Sequence, residues 1–222
     1  MFRILTIERE YGCGAGAIAA ELSRRLGWKL WDHTLTEEIA KLANVDCRTV
    51  ESCDEKVDGT FYRLAKVFWR GSYERSMPMN EAEAFDADCM VSMMDRLAAR
   101  IAKEGQAVVV GRGSPYFLRD REDTFSVFVY AERHEKIRRL VESGKSSPEA
   151  EELIDTVDHE RKTFIKHYFN ADWPTRSLYD LMINSGMGDE NVIETILETM
   201  HRMEASAVTA GGVRSSRLRA KA

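Results

Sequence analysis

Residues 4–17 of this chain read ILTIEREYGCGAGA, and this stretch decides the fold. The alternating apolar run at residues 2–7 predicts a strand, and the apolar spacing over residues 18–26 predicts an amphipathic helix that ends at Gly27. Three glycines between a strand and a helix leave backbone N–H groups free to face an anion, and the helix dipole adds to the attraction. We therefore expect a phosphate-binding loop here.

Length and composition predict a soluble protein with one domain. A chain of 222 residues accommodates one buried α/β domain with an insertion, and a hydrophobic share of 44% is ordinary for a globular protein. Apolar runs stay short of the roughly 20 residues of a membrane span, and a net charge of −5 argues against general nucleic-acid binding. The four cysteines lack Cys-x-x-Cys spacing, so we expect a cytoplasmic protein without structural zinc, disulfides or a membrane partner. The oligomeric state stays open.

Strand and helix patterns alternate along the chain. The patterns predict strands at residues 2–7, 28–32, 106–111, 125–130 and 179–184, and helices at 18–26, 34–42, 81–103, 132–142, 148–169 and 190–203. This alternation predicts an α/β fold with a mainly parallel five-stranded sheet and helices on both faces. Residues 44–105 contain helices and no clear strand, so we expect them to form a helical insertion.

Two interpretations of the glycine loop are open on this evidence. Gly12-x-Gly14-x-x-Ala17 matches the fingerprint of NAD-binding Rossmann domains, and Asp32 lies where a ribose-binding acid would follow. However, residues 8–11 separate the last apolar strand residue from Gly12, whereas a Rossmann strand runs directly into its first glycine. The extra length favours the larger phosphate loop of nucleotide kinases.

Two downstream segments favour phosphoryl transfer. Gly111-Arg112-Gly113 follows a buried strand, at the edge where ligands bind in open α/β sheets, and an arginine there can hold a phosphate with two hydrogen bonds. A surface ion pair is the alternative. Arg161 and Lys162 lie behind Asp158 on the helix expected at residues 148–169. They predict a lid that closes over phosphates, unless they form an ordinary solvated face.

Several segments together resemble the cytidylate kinase-like family. The similar segments are residues 4–14 with an REYG-x-G loop, residues 26–32 with the pattern L-G-x-x-x-x-D, residues 108–113 (VVVGRG), the pair Asp158-x-x-Arg161, and residues 179–184 (YDLMIN). They are collinear over most of residues 2–200. The resemblance implies a three-layer P-loop kinase-like fold, with ATP and Mg²⁺ as donor and cofactor and CMP or dCMP as acceptor.

The candidate residues fall into three roles. Phosphate-binding candidates are Gly12, Cys13, Gly14, Ala15, Gly16 and Ala17; acceptor-binding candidates are Arg112, Asp158, Arg70 and Arg75; catalytic candidates are Arg9, Arg161 and Lys162. Metal ligands stay unassigned, with Glu8 and Asp32 as the nearest acids. By the same resemblance residues 44–105 would bind the monophosphate, and residues from about 145 to 172 would form the lid.

The loop lacks two groups that a working P-loop carries, a lysine for the β- and γ-phosphates and a hydroxyl for Mg²⁺. Ala15 and Ala17 stand at those places, and Arg9 stands at the place of the leading glycine. Arg9 could fold back over the loop to replace the lysine, or Arg161 and Lys162 could arrive from the lid.

These patterns support a nucleotide-binding phosphotransferase that resembles a nucleoside monophosphate kinase. The alternative is a catalytically degenerate nucleotide-binding or regulatory module, and an NAD-binding Rossmann protein is the least favoured. We expect one domain over residues 1–204 and a basic, disordered tail over residues 205–222. Cys13 either replaces the family's serine as a small residue or carries a favoured thiolate.

Overall fold

A computed structural model of the protein describes residues 1–32 and 87–209, together with Glu38. The strands are β1 Ile4–Arg9, β2 Lys29–Trp31, β3 Ala107–Val110, β4 Thr124–Tyr130 and β5 Leu181–Asn184. The helices are α1 Ala15–Leu26, α2 Ala87–Glu104, α3 Ser114–Phe117, α4 Arg133–Glu142, α5 Ser147–Phe169 and α6 Asp189–Thr209. Most of the expected helix at 34–42, most of the insertion with Arg70 and Arg75, and residues 210–222 lie outside the described residues.

The five strands form one parallel sheet in the order β2-β3-β1-β4-β5. The central strand is β1, where Ile4 lies beside Ala107 of β3 on one side and Thr124 of β4 on the other. Helical segments link the strands, because parallel neighbours need a crossover connection. All carboxyl ends therefore meet at one edge of the sheet, and the predicted α/β fold with a five-stranded parallel sheet is confirmed.

Two hydrophobic cores lie on opposite faces of the sheet, because successive strand residues point to opposite faces. On one face Ile4, Val109 and Phe128 pack with residues of α2, α3 and α5. On the other face Leu5 and Val108 pack with residues of α1 and α6. Every residue of β1 and β3 is buried, so the polar residues Thr6 and Glu8 of β1 also face the interior of the protein. The expected three layers are confirmed.

Helix α5 contains most of the segment expected to form a lid. It begins after Ser146, whose hydroxyl accepts a hydrogen bond from the Glu149 N–H at 3.4 Å, and it ends at Asn170 in a left-handed conformation. A third, smaller core joins α5 to α4 and to the glycine loop through Tyr11, Leu140, Ala150, Ile154 and Val157. The lid helix therefore lies against the loop.

The closing helix is longer than the hydrophobic periodicity predicts. Helix α6 runs from Asp189 to Thr209, so residues 205–209 of the expected tail are helical. Two alanines in that stretch, Ala205 and Ala207, favour helix and let it continue past the last periodic apolar residue. Among the residues that the structure describes, no helix is long and apolar enough to cross a membrane.

Candidate active site

The loop between β1 and α1 presents unpaired backbone donors. Gly12 and Gly14 have φ angles of +78° and +79°, a conformation in which glycine carries no steric penalty. The N–H groups of Gly12, Cys13, Gly14 and Gly16 donate to no residue in the described part of the chain. These residues line a cavity of about 310 Å³ at the start of α1. Loop amides and a helix N-terminus together form an anion site.

Arg9, the last residue of β1, is 5% exposed and also lines this cavity. Its Nη1 lies 3.4 Å from Glu8 Oε1, and its guanidinium passes across Gly111, where an added Cβ would overlap it. The buried Nε of Arg9 has no hydrogen-bond partner among the described residues. Burial and the neighbouring Arg161 lower the pKa of Arg9, while Glu8 opposes that shift. A buried guanidinium with an unused N–H is suited to an anionic ligand.

Arg161 joins the lid helix to the loop. Its Nη1 donates to the carbonyl oxygen of Arg9 at 2.9 Å and to Asp158 Oδ1 at 3.1 Å. The same carboxylate oxygen accepts a hydrogen bond from the Tyr11 N–H at 2.8 Å. Burial raises the pKa of Asp158, and Arg161 and Lys136 oppose the shift. Asp158 therefore contacts the glycine loop, whereas the sequence grouped it with the acceptor-binding residues.

A second ion pair connects α4 with the loop. Lys136 Nζ lies 2.5 Å from Glu10 Oε2 and 3.6 Å from Asp158 Oδ2, and the lysine side chain is 9% exposed. Because the three charged groups come from three separate segments, they hold α4, α5 and the loop in one arrangement.

Arg112 lies in a left-handed turn after β3. The φ angles of Gly111, Arg112 and Gly113 are +65°, +55° and +69°, and a positive φ is strained for a residue with a side chain. Arg112 Nη1 donates to the backbone oxygen of Asp32 at 3.1 Å and lies 3.7 Å from Asp32 Oδ1. Burial lowers the pKa of Arg112 to about 10; Asp32 opposes the shift and Arg9 adds to it. The two buried arginines are therefore close enough to repel each other.

Arg139 of α4 is a third arginine that lines the cavity, and sequence analysis missed it. Its guanidinium lies over Gly14, where an added Cβ would overlap it. Sequence shows only that Arg139 follows Glu135 by four residues, which is the spacing of an ordinary ion pair on a helix surface. Only the packing of α4 against the loop reveals the contact.

Cys13 is 1% exposed, and its Sγ lies 3.5 Å from the carbonyl oxygen of Val129. Burial raises the pKa of the Cys13 thiol to about 11. The thiol is therefore neutral at physiological pH, which favours the interpretation of Cys13 as a small replacement for serine.

Lys162, the lysine predicted to act from the lid, does not reach the loop, and neither does the next lysine of the same helix, Lys166. Lys162 is exposed on α5, one residue beyond Arg161, and it does not line the cavity. Lys166 lies 3.5 Å from Asp172 in an exposed ion pair. Successive residues on a helix point about 100° apart, so a helix that directs Arg161 to the loop directs Lys162 away.

The described residues do not fit a magnesium ion held by protein side chains. No group of three His, Cys, Asp or Glu residues that could hold a metal occurs among them. The two nearest acids are paired with arginines, Glu8 with Arg9 and Asp32 with Arg112. The side chains in the described part of the chain therefore supply no complete Mg²⁺ site.

The sheet order excludes the Rossmann interpretation of the loop. In Rossmann domains the second strand lies beside the first, so the acid at its end reaches the ribose of a nucleotide on the glycine loop. Here β3 lies between β1 and β2, and Asp32 is engaged by Arg112. The match of Gly12, Gly14 and Ala17 to the dinucleotide fingerprint is therefore coincidental.

Sheet order, amide-lined loop and buried arginines at the carboxyl edge define an α/β protein of the P-loop kinase-like class. The sequence profile of the cytidylate kinase-like family matches residues 4–187, and the chain belongs to that family. No curated protein matches the chain. Family membership supports the broader prediction of a nucleotide-binding phosphotransferase.

The fold agrees with that of a solved structure. An uncharacterised protein from Eubacterium ventriosum is similar with a TM-score of 0.59 and 18% identity, over 89% of this chain and 99% of the other. A gluconokinase from Sinorhizobium meliloti is more distant, with a TM-score of 0.49 and 12% identity over 93% of this chain and 96% of the other. A shikimate kinase from Bacteroides thetaiotaomicron has a TM-score of 0.47 and 14% identity over 91% of this chain and 98% of the other. At 18% identity the similarity to the Eubacterium ventriosum protein establishes the fold alone.

Proposed function

We propose that the protein transfers the γ-phosphoryl group of ATP to a nucleoside monophosphate, with CMP and dCMP as the first candidate acceptors. One observation, the position of Arg9, supports the proposal most strongly. Arg9 lies buried beside Gly111, between the glycine loop and the turn that holds Arg112, and its Nε is unpaired among the described residues. This is the place where a phosphoryl group would pass between a donor on the loop and an acceptor at Arg112.

On the donor side, the backbone amides of Gly12, Cys13, Gly14 and Gly16 bind phosphate oxygens. Arg161 already reaches the loop through the carbonyl of Arg9, so it needs little movement to face a phosphate there. The bound triphosphate supplies the leaving group. Donors that are already in place lose little free energy to reorganisation, which is how electrostatic stabilisation lowers a barrier.

At the transfer point, Arg9 stabilises the charge that spreads over the transferring group. Catalysis of phosphoryl transfer is mostly positioning and charge neutralisation. Burial lowers the pKa values of Arg9 and Arg112, and repulsion from the neighbouring Arg161 adds to both shifts. An anion placed between them relieves that repulsion, so the site is electrostatically prepared for a phosphoryl group.

On the acceptor side, Arg112 binds the monophosphate. Its backbone turn fixes the position of the side chain, and Asp32 fixes the guanidinium. We assign recognition of the nucleoside to the insertion at residues 44–105, on the resemblance alone. Mg²⁺ would be carried by the phosphates of the donor, and the reaction would take place in the cytoplasm.

A coupled assay of ADP release tests the proposal across CMP, dCMP, UMP and AMP. We expect turnover with at least one pyrimidine acceptor and a fall in kcat of about 100-fold in Arg9→Gln, the size of effect seen when one preorganised donor is removed. Arg3→Gln is the matched control, since Arg3 precedes the same strand but its side chain is 47% exposed and faces Asp123. Equal rates for both variants would remove Arg9 from the mechanism.

A second candidate function is nucleotide binding without catalysis. Ala15 and Ala17 favour it, because they stand where a catalytic P-loop has its lysine and its hydroxyl. In that case the protein would bind ATP in a calorimeter and turn over none of the four acceptors. Binding of ATP with turnover of any acceptor would exclude it.

A further inference from the structure

The phosphate loop has no lysine, but a cation lies against it from another element. Arg139 projects from the last turn of α4, and its guanidinium covers Gly14. Because an added Cβ at Gly14 would overlap that guanidinium, the glycine is needed for the contact as well as for its φ of +79°. The contact is therefore built into the loop and does not depend on a loose surface side chain.

The guanidinium of Arg139 is held from two sides. Its Nε donates to Glu135 Oε1 at 2.9 Å, and its Nη2 donates to Asp189 Oδ1 at 2.7 Å and to the carbonyl oxygen of Ser185 at 3.3 Å. Three hydrogen bonds to residues on α4, at the start of α6 and in the turn between β5 and α6 fix its plane. A guanidinium fixed in this way loses little entropy when it binds a further group.

One edge of Arg139 remains unused. Its Nη1 makes no hydrogen bond to any residue in the ranges described, and this is the nitrogen nearest to the Cβ position of Gly14. The raised pKa of Arg139, caused first by Asp189, keeps the group charged at every physiological pH. The unused N–H groups lie beside a cavity whose loop amides are also unpaired.

We propose that Arg139 binds the β- or γ-phosphate of the donor nucleotide and supplies the positive charge that Ala15 does not. The proposal rests on the proposed function for the identity of the donor, but its core is the binding of a polyphosphate at the loop. Glu135 and Asp189 are positioning residues, since they orient Arg139 and do not themselves face the phosphate. The missing lysine is thus replaced from α4, and Lys162 of the lid is not required.

Isothermal titration calorimetry with ATP, ADP, AMP and inorganic tripolyphosphate tests this assignment on the intact chain. We expect Arg139→Gln to weaken ATP, ADP and tripolyphosphate by about 10- to 100-fold, the loss of one charged hydrogen bond. AMP lacks the β- and γ-phosphates, so its affinity should change by less than about threefold. A purely structural role for Arg139 would weaken all nucleotides alike.

The chain offers a matched control. Arg138 shares the carboxylate of Glu135 with Arg139, but its side chain is 53% exposed compared with 17%, and it does not line the cavity. Arg138→Gln should therefore bind all four ligands as the unmodified protein does. If Arg139→Gln does not fold, Asp189→Asn offers a second variant, because it keeps the arginine and removes the carboxylate charge that pairs with its Nη2. This variant should lose less affinity than Arg139→Gln, and the loss should again be larger for polyphosphates than for AMP.

The outcomes separate the two proposals. Unchanged ATP affinity in Arg139→Gln, or an equal loss for AMP and ATP, overturns the role of Arg139 and leaves the kinase proposal standing. Failure of the unmodified chain to bind either ATP or tripolyphosphate overturns both. Binding of tripolyphosphate but not ATP, with the expected loss in Arg139→Gln, supports Arg139 and contradicts ATP as the donor.

Discussion

The two glycine turns at the carboxyl edge of the sheet present different kinds of hydrogen-bond donor. The loop at residues 12–16 follows β1 and presents backbone amides, while its cations Arg139 and Arg161 come from α4 and α5. The turn at residues 111–113 follows β3 and carries its own cation, Arg112. The loop at residues 12–16 therefore receives positive charge from side chains of neighbouring helices, whereas the turn at residues 111–113 contains its own charged residue.

This difference predicts which substitutions weaken ligand binding alone and which also weaken folding. Arg139 projects from α4, is held by Glu135, Asp189 and the Ser185 carbonyl, and keeps 17% of its side chain exposed, so its loss should weaken ligand binding more than folding. Arg9 and Arg112 are buried on either side of Gly111, inside the end of the sheet. Changes there should affect folding and binding together, because a buried charge that loses its surroundings is costly.

The largest expected effect is that of Gly111→Ala on stability. The added Cβ would overlap the Arg9 guanidinium, and alanine would also be strained at a φ of +65°. Overpacking and the left-handed conformation together should lower the free energy of unfolding by about 3 to 5 kcal/mol, measured by urea denaturation.

Gly27→Ala separates the cost of overpacking from the cost of the left-handed backbone conformation. Gly27 has the same φ of +65°, but nothing lies within 4 Å of its Cβ position. We expect a loss of about 1 to 2 kcal/mol from backbone strain alone. If both variants lose the same stability, Arg9 does not pack across Gly111 and the contrast between the two turns collapses.

The next largest effect is on KM, and it should fall on a different substrate for each of the two turns. Arg112→Gln should raise the KM of the acceptor by about 10- to 100-fold and leave the KM of ATP within about threefold, because a charged hydrogen bond to one substrate is lost. Arg161→Gln should give the reverse pattern, since Arg161 contacts the loop through the carbonyl of Arg9. Steady-state kinetics with each substrate varied in turn measures both ratios.

The exposed Arg119, which follows the helix after the Arg112 turn, provides a control for these kinetics. Its side chain is 40% exposed and faces Asp120, so Arg119→Gln should change neither KM. Equal changes in both KM values for Arg112→Gln would mean that the turn supports the whole site and does not belong to the acceptor alone.

The sheet and both turns could be predicted from sequence because their signals are local. Residues 108–110 form a β-branched apolar run that is typical of a strand buried on both faces, and the carboxyl ends of parallel strands must meet at one edge. From these two facts, the sequence alone predicts that the glycine loop lies close to Arg112. The motifs of the family then give the fold class.

The cations at the loop could not be predicted in the same way, because long side chains reach it from helices whose packing the sequence does not reveal. The pattern at Glu135, Arg138 and Arg139 is that of a solvated helix face, and only one of its two arginines turns to the loop. Lys162 was expected beside Arg161, yet neighbours on a helix cannot both face one site.

Alkylation of Cys13 tests whether the thiol of the loop stays neutral beside the backbone amides that are proposed to bind phosphate. Burial raises the pKa of the thiol from its ordinary value of 9.0 to about 11, so its thiolate fraction at pH 8 should be about 100-fold lower than for an unperturbed thiol. Alkylation of Cys13 by iodoacetamide, followed by peptide mass spectrometry, should be at least that much slower in native protein than in urea. The rate should rise about tenfold per pH unit between pH 8 and 10, because the thiol is still deprotonating. Rapid alkylation at pH 7 would show a thiolate in the loop, where its negative charge would compete with phosphate for the amides.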